Sequence, residues 1–157
     1  MGPVPQGSVD LSKNTIMNFP RALVGFVPLG KLSLVELSTR PVQHLVRRVP
    51  ALAEQSFLAC GLPEMQLNFP WPGYERANLA ERISLKDVKC NGQVAVLVAN
   101  ALQKLFDKAA RLPSSADNKY AVKPGSPYGF QSLLLVGLRH VHGDIFVAEL
   151  EHQIRMG

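Results

Sequence analysis

FQSLLLVGLRHVHGDIFVAEL, residues 130–150, is the stretch on which the fold turns. Two apolar runs, Phe130–Val141 and Ile145–Leu150, flank His142-Gly143-Asp144. Gly143-Asp144 has the chemistry of a two-residue turn, because glycine accepts a positive φ without steric cost. The spacing therefore predicts a β-hairpin. Outward from it, Pro113–Gly129 is a polar loop rich in Pro and Gly. Before that loop, Val94, Leu97, Val98, Ala101, Leu102, Leu105, Phe106 and Ala109 fall on one broad helical face, with Gln103, Lys104, Asp107, Lys108 and Arg111 largely opposite. The all-apolar first half of that helix belongs in the core. Ser84-Leu-Lys-Asp87 resembles a capping box with Asp in place of the usual Glu, and Asn91-Gly92 interrupts the helix start.

Further upstream, Met65, Leu67 and Phe69 alternate against Glu64, Gln66 and Asn68, a half-buried strand within Leu62–Trp71. Val42, Leu45, Val46 and Val49 form an apolar helical stripe after a start at Ser38-Thr39-Arg40-Pro41. Pro50 ends that helix, and a second short one is expected over about 51–60, stopping at Gly61. Ala22–Val27 and Lys31–Leu37 read as two strands around Pro28-Leu-Gly30. Residues 1–18 lack periodicity and read as a flexible leader, leaving 19–157 as a single domain. The order β-β-α-α-β-α-β-β has hairpins at both ends. It predicts an α+β fold: a mainly antiparallel sheet with two or three helices in one compact domain.

With 157 residues and 46% apolar side chains, the chain has the material for one hydrophobic core. Charged residues make up only 18%, below the usual quarter, so apolar surface is left for a partner or a second copy. The net charge of +5 divides as +3 over residues 1–60, +2 over 61–112 and zero over 113–157. That distribution lacks the clustered basic density of a dedicated nucleic-acid binder. Cys60 and Cys90 make no disulfide framework and no zinc spacing. No secretory signal pattern opens the sequence, and the apolar runs Val94–Ala99 and Leu133–Leu138 fall far short of a membrane span. An intracellular location, cytoplasmic or nuclear, is expected.

Several motifs come close to chemistry and stop short. Gly25-Phe-Val-Pro-Leu-Gly30-Lys31 fits a phosphate-binding loop except at its last position, where Leu32 stands in place of the magnesium-binding Ser or Thr. Pro28 also removes one of the N–H groups such a loop must present. His140, His142 and Asp144 make an incomplete metal set at a hairpin end. Gly125-Ser126-Pro127 puts proline where a nucleophilic serine needs an oxyanion donor. Neither cysteine is paired with a base, and Glu149 and Glu151 read as a solvated strand end. No catalytic, cofactor or metal site is expected.

Two groups remain as candidate contacts. Arg40, His44, Arg47 and Arg48 fall at i, i+4, i+7 and i+8, one basic stripe opposite the apolar one, suited to phosphates or acidic side chains. Its bland alternative is a solvated face whose arginines suit a helix C-terminus. Lys119, Tyr120, Lys123 and Tyr128 interleave cations and aromatic rings in the long loop, a mix that stacks on bases or rings and equally serves to anchor a loop.

Leu32-Ser-Leu-Val-Glu-Leu-Ser-Thr-Arg-Pro41, Leu67-Asn-Phe-Pro-Trp-Pro72 and Ile83-Ser-Leu-Lys-Asp-Val88 together resemble a domain family of mushroom-forming fungi over about residues 30–110. In that family a strand and Asp/Glu-Leu-Ser-Pro stretch precedes a Pro-Trp strand and a capped helix. Here Pro72-Gly73 follows Pro-Trp where the family has an apolar strand. The resemblance implies the fold and brings no activity, ligand or catalytic residue. The function expected is a non-enzymatic module that binds a protein or its own kind. An anion- or nucleic-acid-binding module using the basic helix is the alternative, and a small enzyme or ligand-binding domain without a recognisable motif is the third.

Overall fold

A computed structural model describes residues 26–57, 61–112, 121–122 and 129–152. The predicted hairpin is its centre. β4 (Leu133–His142) and β5 (Ile145–His152) pair antiparallel, and Gly143 takes the positive φ of 57° that the turn requires. β1 (Phe26–Ser33) adds antiparallel to β4. β2 (Glu64–Asn68) joins β5 in the only parallel pairing among the described strands, and β3 (Ala80–Ser84) closes the other edge antiparallel to β2. The sheet runs β1-β4-β5-β2-β3. The α+β class and the mainly antiparallel sheet are as expected.

Three helices cover one face. α1 spans Leu34–Thr39, α2 Val42–Arg48 and α3 Asn91–Ala110. Strand alternation sends Leu32, Leu135, Leu138, Phe146, Leu150, Met65, Leu67 and Ile83 into a common core with α3, where Val98, Leu102 and Leu105 are no more than 1% exposed. Phe69 and Trp71 stack at 5.5 Å, and Phe106 meets both edge-on at 4.9 and 5.1 Å. Such offset and edge-on geometry suits the ring quadrupoles.

The N-terminal expectation needs correction. Lys31–Leu37 is not a second strand; the strand ends at Ser33 and the chain turns into α1. The Ser33 hydroxyl accepts the Glu36 N–H at 3.0 Å, a helix cap at the head of Ser-Leu-Val-Glu. Ser38 and Thr39 do not start the next helix. Their hydroxyls donate back to the Val35 carbonyl at 3.0 and 2.7 Å and close α1, and Pro41 leads into α2. Gly30 and Lys31, at φ 86° and 57°, form a bulge in β1 rather than a hairpin turn. Pro28 is tolerated because β1 is an edge strand.

Two further expectations change. The segment after α2 is a short 3-10 turn, Pro50–Ala53, rather than a helix over 51–60, of which residues 58–60 lie outside the described residues. Ser84-Leu-Lys-Asp87 is no capping box: Ser84 ends β3, its hydroxyl accepts the Lys86 N–H at 3.3 Å, and Asp87 turns left-handed at φ 68°. α3 begins instead at Asn91-Gly92, which open the helix rather than interrupt it. A Cβ on Gly92 would lie 3.3 Å from the Leu52 carbonyl and 3.4 Å from Val46, so glycine lets the 3-10 turn and α2 close on the helix. The leader over 1–18 lies outside the described residues. Among the described residues no helix is long and apolar enough to cross a membrane.

Candidate interaction surface

α2 has only seven residues, bracketed by Pro41 and Pro50. One side of it meets the molecule: Leu45 is buried, while Val46 and Val49 pack partly buried against the core. His44, Arg47 and Arg48 occupy the opposite side and are exposed. Arg40 precedes α2, capping the C-terminus of α1 with its N–H on the Glu36 carbonyl at 2.8 Å. Arg48 reaches Glu36 at 2.8 Å, so its charge is met within the molecule. The basic group is thus divided between two elements, with Arg40, His44 and Arg47 presented outward. Lys119, Tyr120, Lys123 and Tyr128 lie outside the described residues.

Beside α2 the surface hollows. Val42, Val88, Val96 and Leu97 form the apolar lining of a groove of about 250 Å³, rimmed by Lys86, Asp87 and Gln93. The groove exists because three elements meet imperfectly there: the start of α2, the turn after β3 and the first two turns of α3. Gln93 accepts the Lys89 N–H through its side chain, which ties that turn to the helix. Lys86 and Lys89 are exposed on the same turn. The sequence reading placed Leu97 in the α3 core stripe. It is only partly buried, because it lines this groove.

The motifs that stopped short sit in structural surroundings. Gly30-Lys31 is the β1 bulge, with Lys31 paired to Glu151 at 2.8 Å. His140 is 3% exposed, and its Nε2 lies 2.9 Å from the Gly143 carbonyl inside the hairpin turn. Burial pushes its pKa below the usual histidine value, opposed by the Gly143 carbonyl and reinforced by His142. Glu149 is paired with Arg139 rather than merely solvated. Cys90 is a half-buried free thiol at the head of α3. No group of three or more metal-ligating side chains occurs among the described residues.

No family model, curated protein or solved structure matches the chain.

Proposed function

We propose that the chain is a non-enzymatic interaction module whose contact surface is the groove between α2 and α3, and that its occupant is a partner segment with apolar side chains flanked by carboxylates. The observation that carries this reading is the apolar lining of Val42, Val88, Val96 and Leu97, left incompletely covered beside a helix whose outer side is basic. Apolar side chains supply the binding energy in such a groove, and surrounding charge selects the partner and speeds encounter. Lys86 and Lys89 on one side, against the one rim carboxylate of Asp87, and Arg47 on α2 favour an acidic segment over a basic one. A cytoplasmic or nuclear setting suits the free Cys90 thiol.

Peptide display against the folded protein tests this. Enriched sequences should combine apolar residues with Asp or Glu, shift the amide resonances of Val42, Val88, Val96 and Leu97, and lose binding to Leu97→Asp. Peptides that bind Leu97→Asp as well as wild type would sink the reading. A dimer in sedimentation that Leu97→Asp dissolves would make a second copy the occupant. Binding of a polyanion whose affinity falls steeply with salt and depends on Arg40 and Arg47 would favour the anion-binding alternative.

A further inference from the structure

The sheet face turned away from the helices carries a different feature. Gln66 and Asn68 project there, since Met65 and Leu67 between and beside them point into the core. The Gln66 Nε2 donates to the Asn68 Oδ1 at 2.7 Å, which orients both amides along one wall. That single bond leaves a carbonyl oxygen on Gln66 and an N–H pair on Asn68 without a partner among the described residues. Opposite them, the turn after Trp71 brings up Glu75 and Asn78. One Glu75 carboxylate oxygen accepts the Gly73 N–H at 2.9 Å, leaving the other without a partner among the described residues. Asn78 is fixed in the left-handed region at φ 51°, its N–H on the Glu75 carbonyl at 3.2 Å. Between the two walls lies a hollow of about 230 Å³, with Phe69, Pro70, Leu79 and Ala80 as its apolar surfaces.

Ala80 explains why the hollow is there. It is the cross-strand partner of Asn68, and any longer side chain at that position would reach into the space between the amide wall and the turn. Arg82, the next residue on that face, turns away to Glu64 and Asp144. What is left is an array of paired donors and acceptors, one carboxylate and an apolar patch. We propose that this hollow binds a neutral monosaccharide. Hydroxyl groups both donate and accept, as the amides do, and the carboxylate accepts from hydroxyls without needing a cation. The C–H face of a sugar ring suits the surfaces of Pro70 and Leu79. The volume is below the roughly 300–1,000 Å³ of sites for drug-sized ligands and fits a single ring. This site lies apart from the α2–α3 groove and does not rest on the interaction reading.

Saturation-transfer NMR of the full chain with D-glucose, D-galactose, D-mannose, D-xylose and N-acetyl-D-glucosamine at millimolar concentration tests it. At least one sugar should receive saturation and shift the amides of Gln66, Asn68 and Asn78. Ala80→Leu, checked for an unchanged circular dichroism spectrum, should abolish the signal. Asn78→Gly, an exposed change that keeps the left-handed backbone and removes only the amide side chain, should weaken binding about five- to tenfold, the effect of one hydrogen bond. It keeps the test decisive should Ala80→Leu fail to fold. No transfer to any sugar of the panel would overturn the proposal, as would binding that survives both substitutions. Binding of choline without any sugar would also overturn it, since the carboxylate alone would then be the recognising group.

Discussion

Asn91→Ala tests how the long helix is fastened to the rest of the molecule. Asn91 is 2% exposed, one of two buried polar residues among those described. Its Oδ1 accepts the Phe57 N–H at 3.1 Å, its Nδ2 donates to the Ser56 hydroxyl at 2.9 Å, and its own N–H donates to the Glu54 carbonyl at 2.8 Å. The side chain thus ties the segment that carries buried Leu52 and Phe57 to the head of α3. Alanine removes two side-chain bonds and leaves the Phe57 N–H buried without an acceptor. A typical hydrogen bond contributes about 0.5–1.5 kcal/mol, and an orphaned buried donor costs about 1–3 kcal/mol, so the loss should be about 3 kcal/mol. In a domain of this size that lowers Tm by about 6–12 °C. Ser56→Ala removes one of these bonds at an exposed position where water can replace the hydroxyl as acceptor, and it should cost about 1 kcal/mol, well below Asn91→Ala. Urea unfolding followed by circular dichroism measures both. If Asn91→Ala were no more destabilising than Ser56→Ala, the amide would not be the anchor, and the account of how α3 starts would fail with it.

Leu102→Ala, at 1% exposure on α3, should cost about 2–5 kcal/mol in the same assay. Gly137→Ala should destabilise by about 1–3 kcal/mol, because a Cβ there collides with the Phe26 ring and the Val27 carbonyl of β1; an unchanged midpoint would mean that β1 does not close on β4. Because burial holds the His140 pKa below its usual value, the unfolded chain takes up that proton first as pH falls. The stability this gives is present above about pH 6.5 and is lost as pH falls through the lower folded value; His140→Gln should flatten the decline in unfolding midpoint across that range.

Elements whose signal is local were legible in the sequence. α3 shows its apolar face over twenty residues, and the β4–β5 turn is written in Gly143-Asp144. The β1–α1 junction was not, because Leu32-Ser-Leu-Val-Glu-Leu37 satisfies both periods: Leu32 and Leu34 fit a strand, Leu34 and Leu37 a helix. The deciding residues were Ser33 and Glu36, whose cap outweighs the competing Ser38-Thr39. β3 was missed for another reason. Glu81 shares the inward face with Ile83 and pairs with Lys108 of α3 at 3.1 Å, so the expected apolar alternation is broken by a charge. Contacts between distant segments were invisible throughout. The parallel β2–β5 pairing, the Arg48–Glu36 bridge and the meeting of Asn68 with Ala80 all depend on the tertiary path.

The same distinction bears on where the molecule yields. α3 is long and carries eleven buried residues, so its wall of the groove is rigid. A seven-residue helix such as α2 is too short to hold its shape alone. It persists through Leu45, the prolines at its ends, the approach of Val46 to Gly92 and the Arg48–Glu36 bridge. The groove therefore has one fixed wall and one lightly fastened wall. A segment inserted between Val42 and Leu97 adds apolar contact to the element with least of its own, so ordering α2 and binding the segment draw on the same side chains. The glycine at 92 sets how closely the two walls approach. A larger residue there would meet Leu52 and Val46, widening the groove while loosening α2, so Gly92→Ala should lower stability and, if the proposed segment binds here, weaken its binding as well.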